Sequence, residues 1–129
     1  MRSVDTNVLI RVWIDDDPKQ SAAVVALLSS ETVWISRTVL LEAAWVLGSL
    51  YKYDPPAICN AFRSLLAFPN IRVENAPSVA AALALCDRGI EIADALHLCI
   101  RPPGATFVTF DEALVKRARR AGVTGIERP

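Results

Sequence analysis

Short β-like runs alternate with longer helical runs from one end of the chain to the other, and turn residues mark almost every junction. Residues 2–4 read as a first strand, and residues 6–14 carry a helical pattern directly after it. Asp17-Pro18 sets an N-cap before a proline at the first helical position and opens a helix through about residue 29. Residues 33–35 form a short strand and residues 38–51 a strong helix. The Asp54-Pro55-Pro56 corner separates that helix from another running toward Phe68. Residues 71–73 are a strand, and residues 77–87 a helix closed by Gly89. Residues 92–100 are helical, stopped by Pro102-Pro103-Gly104. Residues 106–109 are a strand, residues 112–121 the last helix, ended by Gly122, and residues 123–126 a short edge strand interrupted by Gly125. This order, without an internal repeat, predicts an α/β fold with a central, mainly parallel sheet flanked by helices.

At 129 residues and 53% hydrophobic composition, the chain suits one domain, residues 1–129, with one core. Charge, Pro or turn residues break every apolar run before the ~20 residues a membrane span needs, so no membrane partner is expected. The opening Met1-Arg2-Ser3-Val4-Asp5 does not read as a secretory signal, and a cytoplasmic protein is the expectation. Cys59, Cys86 and Cys99 are odd in number and lack CxxC spacing, which fits thiols in a reducing compartment rather than zinc ligands or a redox pair. Formal charge balances at +0, so nucleic-acid binding would need a local patch. Lys116, Arg117, Arg119 and Arg120 on the last helix supply one candidate, against the plainer reading of a solvated face near a helix C-terminus.

The acids carry the chemistry. Glu42 lies in a helix apolar on nearly all faces, and Asp94 repeats the anomaly between Ile92 and Leu98, so both are expected to be buried. An unpaired buried carboxylate is costly and demands a partner. Asp5 falls at the carboxyl end of the first strand and Asp111 just past the strand 106–109, the edge where parallel α/β sheets bind ligands. If all four point there, their charges require a divalent cation or raised pKa values. An all-oxygen set favours Mg²⁺ or Mn²⁺ over zinc, and such a site can hydrolyse a phosphodiester. The plainer readings are that Asp5 and Asp111 cap the following helices, and that Glu42 and Asp94 pair with Arg37 or Arg101. Asp15, Asp16, Asp17 and Asp87 sit at turns or helix ends and are assigned to solvated caps.

Taken in order, Val4-Asp5-Thr6-Asn7-Val8-Leu9, Leu41-Glu42, Ile92-Ala93-Asp94-Ala95-Leu96-His97 and Val108-Thr109-Phe110-Asp111 resemble a PIN domain over essentially the whole chain. The compact size is similar to VapC-type toxins of toxin–antitoxin pairs. That resemblance implies a Mg²⁺- or Mn²⁺-dependent endoribonuclease, often a homodimer, neutralised by a cognate antitoxin protein. It carries the acidic quartet onto Asp5, Glu42, Asp94 and Asp111, and a supporting hydroxyl onto Thr109. Thr6 and Asn7 match the turn that orients Asp5. Glu91 departs from the pattern, standing where many relatives have Asp, and is not assigned as a ligand. His97 lies one helical turn from Asp94, where a structural histidine is the plainer reading.

The helix around Glu42 carries apolar and aromatic residues beyond one core face, including Trp45, Leu50, Tyr51 and Tyr53, and Leu9, Val12 and Trp13 add to them. A partner groove and an ordinary core both remain open for these. The competing function is a non-catalytic PIN-like binding module with a structural cation. A phosphoacceptor receiver would want adjacent acids after the first strand. An aspartate-nucleophile phosphatase would want Asp two residues after Asp5, where Asn7 stands.

Overall fold

Each strand is only two or three residues long, so parallel pairing depends on the helices that carry the chain back between strands. The structure, a computed structural model, describes residues 1–129. It divides into two compact units, residues 1–76 and residues 77–129.

The first unit runs β1 (Arg2–Ser3), α1 (Thr6–Ile10), α2 (Pro18–Ser30), β2 (Val33–Ile35), α3 (Arg37–Ser49), α4 (Pro55–Ala67) and β3 (Ile71–Val73). Its strands form a parallel sheet in the order β1-β2-β3, with Arg2 opposite Val33 and Val33 opposite Ile71. Central β2 buries Val33 and Ile35 beneath the helices. The helices begin where the sequence places caps. Asp17 accepts from the Gln20 N–H at 3.1 Å and Asp54 from the Ala57 N–H at 2.9 Å, each followed by proline in the first turn. Leu9, Ile10, Leu40, Leu47, Phe62 and Leu65 fill the core, and Trp13 stacks on Phe62 at 6.1 Å.

Helix α1 stops at Ile10, short of the expected residue 14. Beyond it the N–H groups of Arg11, Val12 and Trp13 donate to carbonyls three residues back, at 3.0–3.2 Å, so the chain tightens into a 3₁₀-like turn. Arg11 there pairs with Asp16, whose second carboxylate oxygen accepts from the Tyr51 hydroxyl at 3.1 Å. Asp16 is therefore a tether rather than a simple solvated cap.

The second unit holds most of α5 (Ala76–Cys86), then α6 (Ile92–Ile100), β4 (Phe107–Val108), α7 (Glu112–Arg120) and β5 (Ile126–Glu127). β4 and β5 pair in parallel, Phe107 opposite Ile126. The α/β class with parallel pairing is thus observed, but as two ladders, of three and two strands, rather than one sheet. The expected edge strand at 123–126 begins only at Ile126, because Gly125 takes φ +66°, a left-handed conformation no strand accommodates. The Gly125 carbonyl accepts from the Phe107 N–H at 2.8 Å and from the Arg101 guanidinium at 2.5 Å. No helix is long and apolar enough to cross a membrane.

Candidate functional site

Asp5 leaves β1 with extended backbone and becomes the N-cap of α1, its carboxylate accepting from the Val8 N–H at 3.0 Å. A cap bond occupies one oxygen and leaves the carboxylate at the protein surface. Thr6, the first residue of α1, is buried, and Asn7 beside it is exposed. The capping role weighed for Asp5 is therefore real.

Glu42 corrects the expectation of burial: it is exposed. The buried stripe of α3 is Leu40, Ala43, Ala44 and Leu47, and the remaining apolar side chains do not widen it, since Trp45 is also exposed. A helix that looks apolar all round in sequence thus buries only the side on which two alanines allow close packing. Arg37 does not partner Glu42; its guanidinium meets Glu74 at 3.1 Å. Asp5, Thr6 and Asn7 face Thr38, Val39, Glu42 and Val46 across an open hollow of about 260 Å³. Thr38, Val39 and Val46 escaped sequence reading, although their spacing of four and three residues from Glu42 on a helix is the signal that places them on its side. Carboxylate, hydroxyl and amide groups make this a hard donor set, which fits Mg²⁺ or Mn²⁺ rather than a thiophilic metal.

In the second unit, Asp94 lies in the first turn of α6, between the buried Ile92 and Ala95. It is half-buried rather than buried, a second correction, because its position borders the apolar stripe instead of lying within it. Arg101 is not its partner: that guanidinium donates to the carbonyls of Thr124 and Gly125 at 2.7 and 2.5 Å. Glu91 occupies the N-cap position of α6, exposed and without a side-chain cap bond. His97 is exposed and stacks on Phe107, with ring centroids 6.5 Å apart.

Asp111 follows β4 and caps α7, accepting from the Leu114 N–H at 2.9 Å. Its own N–H donates to the Thr109 hydroxyl at 3.1 Å, so Thr109 sets the turn that presents the acid. Lys116, Arg117, Arg119 and Arg120 are all exposed on α7, with Arg119 also donating to the Ile126 carbonyl at 3.3 Å. Taken singly, neither unit gathers three or more His, Cys, Asp or Glu side chains in reach of one metal ion.

The family model for the PIN domain matches residues 3–120. The chain belongs to the PIN domain family. PIN domains are generally nucleases, hydrolases acting on nucleic acid, and typically bind divalent metals. No curated protein matches the chain. Within this PIN domain the matched span includes Asp5, Glu42, Asp94 and Asp111, and it runs through both units.

Proposed function

We propose that this PIN domain is a metal-dependent endoribonuclease, the toxin of a toxin–antitoxin pair, with residues 1–129 acting as one catalytic domain in the cytoplasm. The observation that carries the reading is the hollow in which Asp5 and Glu42 stand together with Asn7 and Thr38, in a chain of a nuclease family. Asp5 and Glu42 in the first unit and Asp94 and Asp111 in the second are the carboxylates proposed as ligands for Mg²⁺ or Mn²⁺, which when bound would activate a water and steady charge on the cleaved phosphodiester. The cap bonds at Asp5 and Asp111 fix each carboxylate on a helix N-terminus, so neither needs to be ordered when substrate arrives. Thr109 holds the Asp111 turn, and Thr6 and Asn7, which open α1 and line the hollow, would help orient Asp5. The cations of α7 would attract RNA phosphates. A cognate antitoxin and a second copy of the chain are the proposed protein partners, supported by exposed apolar side chains such as Val25 and Leu50.

A second reading, a non-catalytic binding module, draws on the same cap bonds, which give Asp5 and Asp111 a structural purpose without any metal. Cleavage of a mixed RNA pool by antitoxin-free protein in Mg²⁺, Mn²⁺ or EDTA separates the two. Cutting that needs the metal and disappears in Asp5→Asn is the expected result; an inert chain that still binds Mn²⁺ would favour the module.

A further inference from the structure

We infer that Trp45 is a stacking platform for an unstacked base of the nucleic acid, standing on α3 one helical turn beyond Glu42, which lines the hollow with Asp5. The inference deepens the ribonuclease reading and rests on it for the identity of the ligand. Three tryptophans make the contrast. Trp13 is half-buried, stacked on Phe62, with its indole N–H donating to the Ser64 hydroxyl at 3.3 Å, and Trp34 is half-buried in β2. Trp45 is 65% exposed. So large an apolar ring left in water gains nothing for folding, and Tyr or Trp in such a position commonly serves binding.

Its neighbours indicate what it binds. Thr38, Glu42, Trp45 and Ser49 follow one another at steps of four, three and four residues, so they form one stripe along α3, away from the buried Leu40, Ala43, Ala44 and Leu47. The stripe reads hydroxyl, carboxylate, indole, hydroxyl. Three and four residues to either side of the ring stand Leu41, Glu42, Gly48 and Ser49, so a docking protein helix would find only the half-buried Leu41 as apolar company, a poor match for the apolar face it would need to bury. Single-stranded nucleic acid wants the opposite: a π-face for a base, beside polar groups that deal with the backbone. Glu42 and Thr38 line the hollow and Trp45 lies next along the stripe, so a strand whose phosphate reached Glu42 through a cation would bring a neighbouring base to the indole. The second unit repeats the juxtaposition, with Phe110, 79% exposed, immediately before Asp111.

The test uses the full chain carrying Asp5→Asn and Glu42→Gln, which removes carboxylate repulsion and cleavage, so that binding can be read in EDTA. A short oligoribonucleotide of mixed sequence, and a blunt duplex of the same sequence, are titrated while tryptophan emission and probe anisotropy are followed. The single strand is expected to quench emission and the duplex is not. Adding Trp45→Leu should remove the quench and weaken Kd about tenfold, and Trp45→Tyr should recover most of the affinity. Unchanged quenching and Kd in Trp45→Leu, or no binding by the parent, would overturn the platform. So would unchanged Kd together with loss of a self-association seen in the parent, which would assign the ring to a protein interface. Cleavage by the wild-type chain in Mn²⁺ is scored separately. A chain that quenches but never cuts overturns the ribonuclease reading alone, and one that cuts with the same KM after Trp45→Leu overturns the platform alone.

Discussion

Residues 1–76 and 77–129 use one local device and surround it differently. In each, a two-residue strand ends near an aspartate that caps the next helix: β1, Asp5 and α1 in the first unit, β4, Asp111 and α7 in the second. Around Asp5 lie a three-stranded sheet and a second carboxylate on α3, the helix that also carries the exposed indole of Trp45. Around Asp111 lie a two-stranded ladder, a hydroxyl that shapes the turn and a row of cations. Charge totals do not separate them: eight acids and seven bases in one, six and seven in the other. Placement does. The first unit leaves a carboxylate on a bare helix face, whereas the second spends Arg88, Arg101 and Arg119 on backbone carbonyls and lines up other cations on α7. The same strand–Asp–helix unit thus stands beside an acidic hollow in one unit, where α3 supplies the second carboxylate, and at the head of a cation-bearing helix in the other.

The largest effect expected is loss of cleavage on neutralising either capping acid. Asn caps a helix about as well as Asp, so Asp5→Asn and Asp111→Asn should each keep the cap and the melting temperature. Each should lose at least about 100-fold in rate, since even groups behind metal ligands cost 10–100-fold when removed. Asp5→Ala should lose the rate and also about 1 kcal/mol of stability. Steady-state cleavage beside thermal melting reads both effects. A wild-type rate in Asp5→Asn would reduce Asp5 to a cap; full activity in Asp111→Asn alone would show that the shared device is catalytic in only one unit.

Next comes the arginine stitching that marks the second unit. Arg101 donates to the carbonyls of Thr124 and Gly125, just before β5, and it is half-buried. Arg101→Gln should lower stability by about 2 kcal/mol, the scale of hydrogen bonds to a charged group, and should expose the amides of the β4–β5 ladder to hydrogen exchange. Unchanged exchange at Phe107 and Ile126 would mean that the ladder holds without it. A smaller effect tests the cation row. Lys116→Gln with Arg120→Gln should flatten the salt dependence of RNA binding by about 0.7 in log–log slope for each phosphate no longer neutralised. An unaltered slope returns α7 to a solvated helix face.

Much of the fold is legible in the chain because it is local. The Asp17-Pro18 and Asp54-Pro55 corners fix helix starts through a side-chain oxygen and a preset φ, and both appear where expected. Residues 33–35 and 71–73 are strands to the residue. Burial is less legible because it depends on which face a helix turns inward. In α3 the alanines, weakly apolar in sequence, define the packed side, and Trp45 and Leu50, strongly apolar in sequence, stay outside it. The pattern therefore singles out Glu42 for a burial it does not have, yet Glu42 lines the hollow with Asp5. The separation of β4 and β5 from the first ladder is hidden too, since pattern gives strands but not their partners.

The smallest effect expected returns to Arg101 through Cys99. Burial pushes the Cys99 thiol up from its ordinary value, and the Arg101 positive charge pulls it partly back. A raised native pKa means that the folded chain keeps this proton where the unfolded chain has lost it. The resulting stability is fully present below the unfolded thiol pKa and is lost as pH rises through the folded one. Because the thiolate is the nucleophile, iodoacetamide should label native Cys99 more slowly than the same thiol in the denatured chain at neutral pH. Labelling should catch up only on the alkaline side. Arg101→Gln removes the pull that favours thiolate, so the labelling profile, read by mass spectrometry of the Cys99 peptide, should move further alkaline. A shift the other way, with labelling faster at every pH, would mean that loss of the Thr124 and Gly125 hydrogen bonds opens the second unit and lifts the burial. Arg101 would then matter to Cys99 as a structural stitch before it matters as a charge.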